Sequence, residues 1–342
     1  MKKYIIGPNM KKDGLFAGNK FPRDIIDICR KKGYIPVYIH EGYIKKRAWE
    51  FIEDYYHLLK ISPRSQVIYI DRVHPNLARK IVFFILKNKK ADIIPLLEDI
   101  DPLRDSTISK RQKEKAIKKL NNSKYIISQN KKMSNYLKEN NVFVSTLELN
   151  VLDFLSSKSV NPIVKNKKFN IICYGGNLSL SQSGFLHNIK VRADDNIRYY
   201  VYGKGEGKNN LPNFVDYKGS FSAENCVGNL KGDWGLVWNG SSLKVNVKDS
   251  KSKYYDYVSP HKFSMYAVCG MPVIVSTTSA MAQFVIENRC GIVIDNIEEL
   301  PKIINSISAE KYLQYRSNIL KIACKASKGA YTEEILNEIG KE

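Results

Sequence analysis

Residues 259–295, SPHKFSMYAVCGMPVIVSTTSAMAQFVIENRCGIVID, place a lysine where electrostatics does not favour one. Pro260 opens a helix, His261 and Lys262 stand in its first turn, and Gly270 ends it. Met271-Pro272-Val273-Ile274-Val275 then reads as a buried strand leading into Ser276-Thr277-Thr278-Ser279. A cation in a first turn opposes the helix dipole and costs about a few tenths of a kcal/mol unless an anion is present. Lys262 and the helix amides therefore suit a shared phosphate, as a pyrophosphate leaving group requires. The alternative is a surface lysine at a frayed helix start. His261 alone reads as structural.

A second segment, IICYGGNLSLSQSG, runs a buried strand into Gly175, Gly176 and Asn177. Glycines at a strand end let phosphates approach the backbone, although a GG pair is also simply a tight turn. The spacing is neither GxGxxG nor a Walker loop. A third segment, DIIPLLEDIDPLRDS, ends a strand in Glu98, Asp99, Asp101 and Arg104. Carboxylates there suit a general base toward a hydroxyl, or equally a helix N-cap with its salt bridges. No third clustered ligand accompanies Asp99 and Asp101, so no metal is expected. In GDWGLVWNGSS, at least one of Trp234 and Trp238 is expected in the core. Tyr254, Tyr255 and Tyr257 follow in a polar stretch that reads as a long loop beside a site.

The elements that must position these groups alternate, with short β-branched runs following amphipathic stretches. Lys3 to Gly7, Tyr34 to His40, Gln66 to Ile70, Asp92 to Leu97 and Lys124 to Gln129 read as strands. Helices are expected over Pro22 to Gly33, Asn76 to Lys87, Ser109 to Leu120 and Lys131 to Asn141. Ser156 to Lys168 is polar, contains Pro162 and reads as a linker. The alternation then restarts at Phe169 to Gly176, Ile197 to Gly205, Asn213 to Gly219, Trp234 to Gly240, Met271 to Ser276 and Gly291 to Asp295. The expectation is two α/β domains, 1–158 and 159–342, with the carboxyl ends of their strands facing a cleft where ligands bind.

Composition narrows the classes. The 342 residues are 43% hydrophobic, enough for two cores. The longest apolar run, Ile81 to Leu86, is far too short to span a bilayer, and Tyr4-Ile5-Ile6 too short for a secretory signal. A cytoplasmic protein is expected. The six cysteines form no CxxC pair, which leaves buried reduced thiols as the reading. The net charge of +21 is uneven: residues 1–150 hold 31 basic against 16 acidic side chains, or +15, and the rest 24 against 18, or +6. A basic first half attracts nucleic acid, anionic membrane or an anionic ligand; a lysine-rich genomic bias, with Lys45 to Arg47, Lys87 to Lys90 and Lys110 to Lys119 on solvated helix faces, is the alternative.

Taken in order, these segments resemble a family of bacterial GT-B glycosyltransferases. That family includes galactofuranosyltransferases of surface-polysaccharide assembly and glucosyltransferases that extend N-acetylglucosamine on serine-rich adhesins. LLEDIDPLR resembles its HD-I-xx-LR segment, YGGNLSLSQ its GNL start of the second half, and WGLVWNG its GLvWDG. SPHKFSMYAVCGMPVIV is similar to NPHK-x-S-x-Y-x-a-x-G-x-PVI, and AGNKFPRDIID, SQNKKMSNYL and STTSAMAQFV follow further family segments. Glu98 stands at the family's usual histidine, Asn239 at its aspartate and Ser259 at its asparagine.

The resemblance implies a GT-B fold and a metal-independent hexosyltransferase. The donor is a UDP-sugar carrying galactofuranose or glucose, and the acceptor a growing cell-surface glycan, lipid-linked or protein-linked. No cofactor is implied beyond the UDP-sugar co-substrate. Lys262, Gly175, Gly176 and Asn177 are expected on the donor diphosphate, with Arg104 as a helper; Tyr266, Ser279 and Ala280 line the donor pocket by resemblance only. Asp99 is the expected base. The basic first domain suits peripheral contact with the anionic inner face of the cell membrane, each surface lysine contributing roughly 1 kcal/mol. A homo-oligomer is open. A degenerate partner subunit that binds without turnover is the second reading, and nucleic-acid binding, suggested by charge alone, is ranked last.

Overall fold

The computed structural model describes residues 1–9, 19–40, 48–158, 160, 170–192, 195–245 and 254–341. The chain forms two compact units: Met1–Asp13, Phe21–Val151 and Tyr331–Glu342 make the first, and Gly14–Lys20 with Leu152–Ala330 the second. Of the expected linker, residues 159 and 161–168 lie outside the described residues, as do Lys45 to Arg47 and residues 246–253 of the expected loop.

The first unit carries β1 (Lys3–Pro8), β2 (Ile35–Ile39), β3 (Gln66–Asp71), β4 (Asp92–Leu97), β5 (Ile126–Ser128) and β6 (Thr146–Glu148). They form one six-stranded sheet in the order β2-β1-β3-β4-β5-β6, parallel throughout. Every residue of β3 is buried, as a strand covered on both faces by helices must be. The helices start where short polar side chains cap them. Asn76 accepts from the Arg79 amide ahead of Leu77–Asn88, Ser109 and Gln112 form a capping box, and Asn130 accepts from the Met133 amide.

The strand order reverses between β1 and β3. At their carboxyl ends lies a cavity lined by Gly7, Pro8, His40, Asp71, Arg72 and Glu98, among others. Its wall is held by a buried ion pair: Arg79 Nε and Nη2 grip Asp71 at 2.7–2.9 Å, and Asp71 also accepts from the Val73 amide.

The second unit carries β7 (Asn170–Asn177), β8 (Ile197–Lys204), β9 (Val215–Tyr217), β10 (Trp234–Val237), β11 (Val273–Ser276) and β12 (Gly291–Ile294). Their order, β12-β11-β10-β7-β8-β9, is that of a doubly wound nucleotide-binding sheet, with its switch point between β7 and β10. Tyr174, Phe185, Tyr199, Trp234, Leu236 and Trp238 belong to its core, so both tryptophans are buried. Long β7–β8 pairing demands glycine at 203: a Cβ there would sit 1.8 Å from the Gly176 carbonyl oxygen, at φ +142°.

Two departures from the sequence reading bear on the first unit. The helix Ala48–Leu59 was not expected at all. The helix Ala330–Ile339 belongs to the first unit although it ends the chain, because its buried face of Thr332, Ile335, Leu336 and Ile339 is completed there and Glu333 pairs with Lys32 at 3.1 Å.

Arg79→Ala strands the Asp71 carboxylate at 1% exposure, and urea unfolding is expected to show a loss of about 3–5 kcal/mol. A loss below about 1 kcal/mol would mean that the pair does not hold the β3 end in place.

Candidate active site

In the second unit the site is built at the β7–β10 switch point. The two strands pair at Trp234↔Ile172 and Gly235↔Cys173 and then separate. The Tyr266 hydroxyl fills the opening, accepting from the Gly175 amide at 2.8 Å and donating to the Leu236 carbonyl at 3.2 Å. Tyr266 lies on the helix His261–Val268, four residues after Lys262, so both project from one face. Lys262 is half-buried: its ammonium donates to the Tyr174 hydroxyl at 2.8 Å, lies 4.0 Å from that ring's centroid, and stands 3.5 Å from the Trp238 carbonyl. No carboxylate pairs with it among the described residues. Burial without a counter-ion pushes its pKa down to about 7. A solvated lysine at a frayed helix start does not describe this group.

Gly176 sits at φ +156°, a backbone conformation that residues bearing a side chain rarely adopt. A Cβ there would lie 2.7 Å from Lys262 Cε, so the lysine crosses the strand end against bare backbone. Asn177 is exposed, and its side chain accepts from the Ser179 amide in an Asx turn. After β11, buried Ser279 accepts from the Met281 amide, and the Ala280 amide donates to the Tyr255 carbonyl. The structure thus brings Gly175, Gly176, Tyr266 and Lys262 into direct contact, while Ser279 and Ala280 stand at the end of β11, two strands from β7 in the sheet. His261 is structural as expected. It stacks on Phe154 at 4.9 Å, and burial, then the Lys20 charge, pushes it down to about 3. Lys20 is itself buried, pairing with Glu224 at 3.2 Å over the Phe154 ring.

In the first unit, Asp99 and Arg104 are partners: Arg104 Nη1 donates to Asp99 Oδ2 at 2.8 Å, and Arg72 Nη2 lies 3.0 Å from the same oxygen. Arg72 also pairs with Asp101 at 3.2 Å and His74 Nδ1 with Asp101 at 3.1 Å; burial pushes the Asp101 carboxyl up while Arg72 pulls it down. Sequence reading missed His40, at the end of β2. Its Nδ1 lies 2.9 Å from buried Asp54, which also accepts the His40 amide at 2.8 Å. A carboxylate on Nδ1 fixes the proton there and leaves Nε2, beside the cavity, as the basic nitrogen. Nε2 itself stands 3.7 Å from the Glu53 carboxylate. The only sequence signal was a histidine at the carboxyl end of a strand.

Lys262 carries a stability cost that can be measured. Its folded pKa of about 7 lies below the ordinary 10.5, so between these values the unfolded chain binds more protons and stability rises with pH. Lys262→Met is expected to stabilise the ligand-free protein, most of all below pH 7, with the gain shrinking toward pH 10.5. A variant less stable than wild type at every pH would contradict the burial cost.

Comparison with known proteins gives the family and the fold. The sequence matches the family model of the glucosyltransferase 3-like N-terminal domain over residues 2–151 and that of the C-terminal domain over residues 172–339. The beta-1,6-galactofuranosyltransferase WbbI of Escherichia coli K12 is 29% identical over 262 residues, 76% of this chain and 74% of that protein. Glucosyltransferase 3 of Streptococcus gordonii is 29% identical over 106 residues, 31% of this chain and 30% of that protein. Among solved structures, Anabaena HepE in complex with UDP-glucose superposes with a TM-score of 0.64 at 11% identity, covering 100% of both chains. The E. coli trehalose-6-phosphate structure with UDP-2-fluoro glucose gives 0.62 at 8%, covering 99% of this chain and 98% of that one. The fold is therefore of the GT-B type, with two α/β units, and the chain belongs to the glucosyltransferase 3-like family.

Proposed function

We propose that the protein is a glycosyltransferase that moves a hexose, galactofuranose or glucose, from a UDP-sugar onto a growing cell-surface glycan, lipid-linked or protein-linked, at the cytoplasmic face of the membrane. The observation that carries the reading is Lys262: a half-buried ammonium that pairs with no carboxylate among the described residues, against the bare backbone of Gly176 at the switch point of a doubly wound sheet. The relative WbbI and the UDP-glucose complex of HepE support the choice of donor.

In the proposed reaction the bond between the anomeric carbon and the diphosphate oxygen breaks, and UDP leaves with the electron pair. Lys262, the first amides of its helix and the Gly175-Gly176 backbone neutralise the developing charge without requiring a metal. Asn177, Tyr266, Ser279 and Ala280 complete the donor side. The acceptor hydroxyl oxygen forms the new bond and gives its proton to a base of the first unit. We assign that base to His40, oriented by Asp54, in place of Asp99, whose Oδ2 accommodates the two guanidinium groups of Arg72 and Arg104. Asp99 is assigned the positioning of Arg104.

Donor identity is read from a thermal-shift and UDP-release panel of UDP-glucose, UDP-galactose, UDP-galactofuranose, UDP-N-acetylglucosamine and GDP-mannose. Selective stabilisation by one UDP-sugar with slow UDP release is expected. Binding without turnover on any acceptor would favour the non-catalytic partner instead. For the base, His40→Gln is expected to lower transfer by about 10²-fold or more at unchanged UDP affinity, with Asp99→Asn the milder change. The reverse ranking would return the base to Asp99.

A further inference from the structure

The helix Ala48–Leu59 lies on the first unit with its apolar side outward. Asp54 and Leu58 are its buried residues, whereas Trp49, Ile52, Tyr55, Tyr56 and Leu59 are 50, 70, 48, 59 and 47% exposed. At 3.6 residues per turn these five fall within an arc of about 120°, so they form one stripe. The helix Leu77–Asn88 packs beside it and exposes Leu77 at 59% and Phe84 at 66%. Lys89, just past that helix, donates to the Leu59 carbonyl at 2.9 Å and ties the two together. Isolated exposed apolar residues need no explanation, but seven on two adjacent helices mark a surface that is covered in use.

The charges on this face say what covers it. Lys60, Lys80, Lys87 and Lys90 are exposed on or just beyond the same two helices, and Lys60 lies 4.1 Å from the Tyr56 ring centroid. Half-buried Glu53 stands at the edge of the stripe. Trp and Tyr beside Ile, Leu and Phe, with lysines around them, is the composition of an element lying in a lipid headgroup layer. A second copy would set lysines against lysines, whereas an anionic bilayer supplies the opposite charge. Nucleic acid would match the lysines but would leave Ile52, Leu59, Leu77 and Phe84 without a counterpart. Among the described residues no helix is long and apolar enough to cross a membrane, so the contact is peripheral.

We infer that the outer face of these two helices docks the protein onto an anionic lipid surface. The stripe ends at Trp49, whose ring lies edge-on to His40 at 5.4 Å. Where the transfer reading holds, the acceptor side is thereby set next to the bilayer; the docking surface itself does not depend on that reading.

The test is flotation of the full-length protein with vesicles of phosphatidylcholine alone and of phosphatidylcholine mixed with phosphatidylglycerol, at low and high salt. UDP affinity is measured on the same samples. Flotation with the anionic vesicles only, weakened by salt, is expected. The double variant Ile52→Ser/Phe84→Ser, with both sites already exposed and the fold checked by circular dichroism, is expected to lose at least about tenfold in lipid affinity at unchanged UDP affinity. Equal binding to both vesicle types, no flotation, or a variant that binds like wild type would overturn the inference. So would a concentration-dependent dimer that the variant abolishes, since the face would then belong to a second copy. Loss of UDP binding in a wild-type protein that still floats would count against the transferase reading alone.

Discussion

One phenol holds the candidate donor site together. Where β7 and β10 part at the switch point, the Gly175 amide and the Leu236 carbonyl lose each other as ladder partners, and both are buried. Buried backbone groups left unpaired cost about 1–3 kcal/mol each, so the opening needs a group that both accepts and donates. The Tyr266 hydroxyl does both. Its ring in turn requires glycine at 235, where a Cβ would lie 2.2 Å from Tyr266 Cγ. One helical turn earlier, the same anchoring fixes Lys262 against Gly176 and Tyr174.

The consequence is a cation kept poor in counter-charge. The phenol hydroxyl and ring face of Tyr174 solvate the ammonium only in part, and burial favours its neutral form. On the proposed reading, a diphosphate arriving there restores the charge that burial disfavours. On that reading, a site unfavourable to the empty protein becomes favourable to a leaving group. The first unit handles charge in the opposite way: Asp71 with Arg79, and Asp99 with Arg72 and Arg104, are closed pairs that stiffen the strand ends around the cavity.

Much of this was legible in the sequence because local pattern and global role agreed. Short β-branched and aromatic runs such as Val67 to Ile70 and Val273 to Val275 read as covered parallel strands. Lys262 was visible because a lysine after Pro260 contradicts the helix dipole, and Gly175-Gly176 because a strand ended in glycine. What stayed hidden depended on partners far apart in the chain. His40 becomes distinctive only when Asp54 reaches it from a helix whose exposed Trp49, Ile52 and Tyr56 defeat the rule that apolar residues mark the buried face. The final helix, Ala330–Ile339, has an ordinary amphipathic pattern that cannot say which of two cores it completes. Tyr266 was placed on the donor side by resemblance, and its bridging role is a property of the diverging strands.

The central claim is that Lys262 is largely neutral in the empty site above pH 7 and becomes charged on meeting a diphosphate. Calorimetry of UDP binding at about pH 8, in buffers of different ionisation enthalpy, reads the proton directly. The account predicts uptake approaching about one proton per UDP in the wild-type protein and none in Lys262→Ala. A binding enthalpy independent of buffer, or the same uptake in both proteins, would contradict it.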